Sequence, residues 1–205
     1  MKIALTFEGG INSITNELLD LLNNYQAKAT FFCLASHVEE NPDITRRIVQ
    51  EGHLIGGNHY QYLDSVFLDF SEFIEQLIRC NSILEKVTGQ MVRYYMPPYG
   101  SVSNEQQYFL TDSGLTTVYW NIDSENNGEH KVENIVGNIM TNVREESVIL
   151  CHQRGILPCR NTLRALRIVI PMLKQCGYQF VSVDKINSGK ANQLVGAPRG
   201  AIVEK

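Results

Sequence analysis

The chain has 205 residues, of which 43% are hydrophobic and 20% charged, a composition typical of one compact domain with a substantial core. Its formal net charge is -4, and no basic stripe with interleaved aromatic residues occurs, so nucleic acid is a poor candidate partner. No segment approaches the roughly 18 apolar residues of a membrane-spanning helix, so no membrane span is predicted. The short apolar run at the N-terminus stops at Glu8, well before the length of a signal-peptide core.

The five cysteines form no CxxC pair and no zinc-finger spacing, which argues against a structural zinc site and a thioredoxin-like motif. Buried free thiols are the expected state. A bridge between Cys151 and Cys159, which bracket a segment with glycine and proline, is the alternative in an oxidising compartment.

Short runs rich in β-branched and aromatic residues alternate along the chain with longer segments of helical spacing. This alternation indicates βα units around a mostly parallel sheet. Strands are predicted at 2–7, 29–34, 54–56, 94–96, 117–120, 148–150 and 179–183. Seven such units favour a closed or nearly closed barrel, and a doubly wound open sheet is the alternative. Both architectures place function at the carboxyl ends of the strands.

Apolar residues at helical spacing predict four helices, at 13–25, 41–51, 71–88 and 161–175. Their apolar stripes are interpreted as core. The last segment, 187–205, is richer in Gly, Ser, Asn and Lys, with scattered apolar residues. We therefore predict one domain over residues 1–186, followed by a C-terminal extension over 187–205.

Polar and aromatic residues cluster just after five of the predicted strands. The five segments are Glu8-Gly9-Gly10, residues 56–62, residues 97–100, residues 120–123 and Cys151-His152-Gln153. In this order and spacing they resemble the five motifs of the polysaccharide deacetylase family, which includes chitin and peptidoglycan deacetylases. The resemblance extends from residue 2 to about residue 183. It implies a distorted (β/α) barrel, TIM-like and seven-stranded.

The resemblance also implies an activity. Family members hydrolyse the N-acetyl amide of a sugar polymer, using a divalent metal such as zinc that is held by one Asp and two His. The metal polarises the acetyl carbonyl and activates water, while a separate carboxylate takes the proton. Chitin or another N-acetylglucosamine polymer would be the partner, and the protein would be secreted or associated with a cell wall.

The residues at the family's metal-ligand positions depart from this pattern. The base position is occupied by Glu8, but the adjoining ligand position is Gly9, which has no side-chain donor. An ungapped alignment of the second motif puts Asn58 and Tyr62 where the two histidine ligands belong. Neutral Asn and Tyr oxygens bind zinc far more weakly than imidazole and carboxylate. The sequence therefore predicts that no metal is bound at this position.

A rival register places one inserted glycine at Gly57. His59 then becomes the first histidine, and Leu63 stands at the second position. One ligand of three would remain in this register.

The third and fourth motifs are partly retained. Pro98 and Tyr99 are expected to line the wall of a substrate groove, while Met96 stands where the family has an arginine that orients the base. Trp120 and Asp123 stand at the family's aromatic wall and at the acid that tunes the catalytic histidine. Packing in the core is an equally good reading of Trp120.

The fifth motif keeps His152, at the position of the family's general acid, with Gln153 in place of the usual Asp. The residues predicted to carry any catalysis are thus Glu8, His152 and Asp123. A histidine retained only for packing or hydrogen bonding is the alternative. Neither Glu8 nor His152 generates hydroxide unaided, because the pKa of water lies far above neutrality.

The sequence is compatible with three functions. The first is a polysaccharide deacetylase homologue that has lost its metal triad and activity and binds amino-sugar polymer. The second is an active chitin or chitooligosaccharide N-deacetylase that releases acetate by a displaced metal or a metal-free route. The third is another hydrolase or a non-carbohydrate interaction protein on the same scaffold.

Overall fold

The computed structural model describes residues 1–125 and 130–186, and its strands form one parallel sheet. The order along the sheet is β5-β4-β3-β2-β1-β7-β6, and β8 pairs with the start of β1. The strands are β1 (Lys2–Gly9), β2 (Ala29–Cys33), β3 (Leu54–Gly57), β4 (Tyr94–Tyr95), β5 (Thr116–Thr117), β6 (Ile122–Asp123), β7 (Val148–Gln153) and β8 (Gln179–Phe180). Within the described residues no ladder joins β5 to β6, so the sheet is a curled, open barrel. Seven strands lie along this order, with β8 beside β1, and the predicted seven-stranded, distorted barrel is confirmed.

Helices connect the strands and cover the outside of the sheet. They are α1 (Ser13–Asn24), α2 (Ala35–Glu40), α3 (Pro42–Gln50), α4 (Phe70–Thr88), α5 (Asn104–Asp112), α6 (Val132–Asn142) and α7 (Ile156–Gln175). Side-chain caps fix several of their starts. Asp69, for example, accepts a hydrogen bond from the backbone N–H of Glu72, whose carboxylate accepts one from Asp69 N–H in return. No helix in the described part of the chain is long and apolar enough to cross a membrane.

The structure differs from the sequence prediction at several elements. Strand β6 and helices α2, α5 and α6 were not predicted, and β7 continues three residues beyond the predicted end, so His152 lies within the strand. Cys151 and Cys159 are buried free thiols, in β7 and α7 respectively. The predicted extension at 187–205 lies outside the described residues.

The alternation of β1 sorts its side chains between two cores. Ile3, Leu5 and Phe7 pack in the large cluster between the sheet and the helices. Ala4 packs in the smaller cluster inside the barrel, with Phe32 and other interior residues. Because successive side chains of a strand point to opposite faces, Glu8 points towards the barrel interior, on the same face as Ala4.

Candidate active site

Two neighbouring strands bring Glu8 and His152 side by side. Strands β1 and β7 are parallel, and their register pairs Glu8 directly with His152. In β7, Val148 and Leu150 belong to the interior cluster, so the alternation turns His152 inward as well. Both residues stand at the carboxyl ends of their strands, the edge of the sheet at which parallel α/β folds place their sites.

The Glu8 carboxylate is buried, at 1% exposure, and polar groups from two other segments approach it. The Tyr62 hydroxyl donates to Oε1 and Oε2 at 3.1 and 3.2 Å. Asn58 Nδ2 donates to Oε1 at 3.3 Å. His152 Nδ1 lies 3.6 Å from Oε2. The protein itself therefore supplies the hydrogen bonds that this buried charge requires.

The segment after β3 supplies two of these donors. Asn58 follows β3 directly and also donates Nδ2 to the Met96 carbonyl at 2.8 Å. Its Oδ1 is buried without a hydrogen-bond partner among the described residues. The Asn58 and Tyr62 side chains both reach Glu8, which is the arrangement that the ungapped alignment requires.

His59 points the other way. It is fully buried, and its Nε2 lies 2.7 Å from the Tyr95 hydroxyl in the main core, where the ring also packs edge-on against Phe73. Burial lowers the pKa of His59 to about 4, which keeps the imidazole neutral. The rival register, with His59 beside the base, therefore disagrees with the structure.

His152 connects Glu8 to Asp123. His152 Nε2 donates to Asp123 Oδ1 at 2.8 Å, and Asp123 ends β6. Burial disfavours the charged imidazole, but the hydrogen bonds and charges of Asp123 and Glu8 outweigh it and raise the pKa of His152 to about 9. The site thus contains a buried carboxylate beside an imidazole that is oriented by a second carboxylate.

Arg154 makes a competing contact with the same imidazole. Its Nη2 lies 2.8 Å from His152 Nδ1. An unprotonated Nδ1 accepts this hydrogen bond, whereas a protonated Nδ1 donates towards Glu8. The two contacts of Nδ1 therefore favour different protonation states of His152.

Tyr62 is held as a neutral phenol. Burial raises its pKa first, and the neighbouring charge of Glu8 raises it further. The ring lies 4.8 Å between centroids from Tyr99 and 4.8 Å from the guanidinium carbon of Arg154. Tyr62 therefore presents an O–H donor to the carboxylate rather than an oxygen anion.

The third and fourth motifs form the neighbouring wall. Tyr99 is 47% exposed and has a φ of +60°, a left-handed conformation that is uncommon for a residue other than glycine. Trp120 is only 8% exposed and packs against Gly100, where an added Cβ would lie 2.9 Å from the indole. Pro98 is also buried. Of the predicted wall residues, Tyr99 offers the most surface to a ligand.

Two cavities adjoin this cluster. A groove of about 700 Å³ runs past Tyr62, and a second cavity of about 480 Å³ adjoins Asp123 and His152. The groove combines apolar and polar lining residues, among them Asn12, Leu34, His37, Leu63, Arg154 and Ile156. A groove of mixed character beside a buried acid and base suits a polar ligand with apolar faces, such as a sugar ring.

The side chains around Glu8 do not fit the divalent metal of related deacetylases. Gly9 has no side-chain donor atom, Asn58 turns its N–H₂ to the carboxylate, and Tyr62 is a neutral hydrogen-bond donor. Within residues 1–125 and 130–186, no group of three or more His, Cys, Asp or Glu side chains is placed to hold a metal ion.

The sequence comparison matches more than half of the chain to one family. The family model for polysaccharide deacetylase matches residues 1–118. The chain belongs to the polysaccharide deacetylase family.

Several relatives of this chain are named as deacetylases. A peptidoglycan-N-acetylglucosamine deacetylase of Bacillus cereus is 32% identical over 183 residues, covering 89% of this chain and 66% of the relative. A chitooligosaccharide deacetylase of Rhizobium leguminosarum is 31% identical, covering 89% of this chain and 90% of the relative. The chain spans only 39% of PgdA, the peptidoglycan-N-acetylglucosamine deacetylase of Listeria monocytogenes, which is 27% identical.

Solved structures agree with the fold. A peptidoglycan N-acetylglucosamine deacetylase with a bound hydroxamate-type ligand superposes with a TM-score of 0.86 at 31% identity, covering 90% of this chain and 87% of the other. A CE4-family pseudoenzyme of Bacillus anthracis superposes with a TM-score of 0.83 at 26% identity, covering 90% of this chain and 64% of the other. Structures similar to this one therefore include a deacetylase and a pseudoenzyme.

Proposed function

We propose that this chain is a polysaccharide deacetylase homologue that binds amino-sugar polymer and lacks metal-dependent hydrolytic activity. The observation that carries the proposal is the set of hydrogen bonds from Asn58 and Tyr62 to Glu8. These two residues stand at the positions of the family's histidine ligands, and both act as hydrogen-bond donors towards the base. A donor N–H or O–H directed at a carboxylate does not coordinate a cation.

The chemistry of the site supports this assignment further. Metal-dependent hydrolysis needs a bound cation that lowers the pKa of water and polarises the carbonyl. At Gly9 the side-chain carboxylate that would anchor that cation is absent, and the backbone φ of +111° is one that residues with side chains rarely adopt. The loop is therefore adapted to glycine rather than to a ligand.

The polymer class is inferred from the relatives and the groove. Relatives are named as deacetylases of peptidoglycan and of chitooligosaccharide, both built from amino sugars. The groove beside Tyr62 has an apolar floor, including Leu34, and polar groups such as His37. A pyranose presents the matching combination of C–H faces and hydroxyl edges.

Three measurements on purified protein test the proposal. Elemental analysis after dialysis against zinc should find far less than one zinc per chain, and acetate release from chitin oligomers and peptidoglycan should equal the blank. Sedimentation with both insoluble polymers should retain the protein. Stoichiometric zinc or metal-stimulated acetate release would contradict the loss of activity, and failure to bind either polymer would contradict the binding function.

A matched pair of variants assigns polymer binding to the groove. Ile156 lines the groove at 49% exposure, whereas Ile168 is 44% exposed farther along the same helix. Ile156→Lys should weaken polymer retention, because it places a charge on the apolar floor, while Ile168→Lys should leave retention unchanged. Equal effects of both changes would show that the polymer binds elsewhere.

The retained contact of His152 with Asp123, beside Glu8, favours a second candidate, an active N-deacetylase of chitin or chitooligosaccharides. In that reaction Glu8 takes a proton from water as it attacks the acetyl carbon. As the C–N bond breaks, His152 transfers its proton to the departing nitrogen, so that acetate and the free amine are released. Acetate release that disappears in both Glu8→Gln and His152→Ala would support this candidate, and no release with added zinc or cobalt would exclude it.

A further inference from the structure

Arg154 occupies a position in the site that the family motifs do not explain. It follows the end of β7, and its guanidinium carbon lies 4.8 Å from the centre of the Tyr62 ring. Its Nη2 lies 2.8 Å from His152 Nδ1. Its Cγ lies 3.4 Å from the position that a Cβ atom at residue 9 would occupy. The Arg154 side chain thus lies between Gly9, Tyr62 and His152. In the ungapped alignment, Gly9 and Tyr62 stand at two of the family's ligand positions.

The guanidinium of Arg154 brings a positive charge to this cluster. Burial acts to raise the pKa of Asp123, but the contact with His152 and, to a smaller extent, the charge of Arg154 lower it. The charge of Arg154 also opposes the rise that burial and Glu8 cause in the pKa of Tyr62. In addition, Met96, which stands at the position of the family's base-orienting arginine, is an uncharged residue buried in the interior core. Arg154 is therefore a cation that enters the site from a different strand.

The position of Arg154 between the two cavities gives this cation access to both sides of the site. It lines the 700 Å³ groove that passes Tyr62 and also the 480 Å³ cavity that adjoins Asp123 and His152. Arg154 is exposed overall, whereas Glu8 is buried.

We infer that Arg154 is the resident cation of this site, and that it excludes a divalent metal independently of the three missing ligands. The inference rests on the proposed function, because it explains how a site without metal keeps its carboxylates compensated. A divalent cation placed near Gly9 and Tyr62 would lie within a few ångströms of a fixed positive charge, and like charges at that separation repel. Restoring the ligand side chains alone is then insufficient to restore the metal site.

The experiment restores two ligands and then varies the charge at position 154. Asn58→His with Tyr62→His puts two imidazoles beside Glu8 without altering the unusual backbone at Gly9. In this background Arg154→Met removes the charge but keeps most of the bulk, and Arg154→Lys keeps the charge. Isothermal titration with zinc should give an affinity at least about tenfold higher for the Met variant than for the parent or the Lys variant.

The matched control is Arg160, an exposed arginine in the first turns of α7. Arg160→Met in the same background changes the net charge equally, and it should leave zinc affinity unchanged. A gain with Arg160→Met as large as the gain with Arg154→Met would assign the effect to net charge and overturn the inference. Equal affinity of the parent, Met and Lys variants at position 154 would also overturn it.

A second background includes the third ligand. Gly9→Asp is added to the two histidines, with and without Arg154→Met, and zinc content is measured by elemental analysis after dialysis. Because aspartate at a φ of +111° is strained, a variant that does not fold here leaves the two-histidine series as the deciding test. Stoichiometric zinc in the unmodified chain would contradict the proposed function. A zinc affinity that is the same whichever residue stands at position 154 would contradict only the inference about Arg154.

Discussion

Tyr62 donates its hydroxyl to both carboxylate oxygens of Glu8, at 3.1 and 3.2 Å, across a sequence separation of 54 residues. The ungapped alignment places Tyr62 at the position of a histidine ligand, so a proton donor stands where we propose that a metal ligand was lost. A histidine at position 62 would leave the base free to act on water near a cation. The phenol instead shares its single O–H between both oxygens of the base, as a hydrogen bond to a charged acceptor.

Removing this donor tests how much the carboxylate depends on it. Tyr62→Phe keeps the ring against Tyr99 and Arg154 but leaves Glu8 with Asn58 and His152 only. Loss of one hydrogen bond to a buried charge should reduce the free energy of unfolding by about 1.5–3 kcal/mol, measured by urea denaturation.

The control for this change is an exposed tyrosine. Tyr108 is 73% exposed, and Tyr108→Phe should alter the free energy of unfolding by less than about 0.5 kcal/mol. If Tyr62→Phe is as mild as Tyr108→Phe, the hydroxyl does not stabilise Glu8.

His59 should behave as a core residue and not as a ligand-binding one. Its Nε2 contacts the Tyr95 hydroxyl at 2.7 Å, and the residue is fully buried. His59→Ala should lower the free energy of unfolding by about 2–4 kcal/mol, because it opens a cavity and removes a hydrogen bond. Polymer retention by the folded fraction should be unchanged. Reduced retention at unchanged stability would instead place His59 in the binding site.

Stability should fall as the pH rises from 6.5 to 8. The folded state holds the proton on His152 more tightly than the unfolded chain, because the pKa of His152 is raised to about 9 from an ordinary value near 6.5. Its stabilising contribution is complete below about pH 6.5 and disappears as the pH passes through 9. His152 alone should cost roughly 1–2 kcal/mol over this window. His53 and His59 act in the opposite direction, because burial lowers the pKa of each to about 4 in the folded state, and together they should offset about 0.8 kcal/mol of that loss.

The upper limit of this window is set by the cysteines. Burial raises the pKa of Cys33, Cys80 and Cys151, so thiols of the unfolded chain begin to ionise above about pH 8 while the folded ones do not. Urea denaturation at pH 6.5, 7.2 and 8 measures the profile below this limit. His152→Asn should abolish the fall and leave only the small rise that His53 and His59 produce, and an unchanged slope in that variant would assign the fall to other groups.

The strength of local patterns decided how well the elements were predicted. Strand β1 carries a strong apolar signal, and the prediction was within two residues of its end. Strand β6 has only two residues, Ile122 and Asp123, and so short a run carries no periodicity. Helix α7 begins at Ile156, five residues before the predicted start, because Pro158 resembles a helix breaker but lies in the first turn, where proline is tolerated.

The site was predictable where it follows the family motifs and unpredictable elsewhere. Strand order and alternation bring the ends of β1, β3 and β7 together, so the proximity of Glu8, Asn58 and His152 follows from the resemblance. The part played by Arg154 depends on the rotamer of a long side chain after β7, which spacing alone does not specify. The available signal was a cation two residues after the histidine, at a strand end.

The contact between Gly10 and His37 provides a test of the loop that follows Glu8. An added Cβ at Gly10 would lie 2.0 Å from His37 Nδ1 and 2.5 Å from Cε1, which is far inside van der Waals contact. Gly10→Ala should therefore lower the free energy of unfolding by about 1–3 kcal/mol. The obstacle is a side chain, so His37→Ala should relieve it, and the double variant should be no less stable than His37→Ala alone within about 0.5 kcal/mol.

Gly56 is the control, because its added Cβ would lie 2.8 Å from the backbone carbonyl oxygen of Tyr94, which no side-chain truncation removes. Gly56→Ala should remain destabilising in the His37→Ala background, and urea denaturation of the five variants distinguishes the two cases. Additive effects of Gly10→Ala and His37→Ala would show that the imidazole does not pack on Gly10.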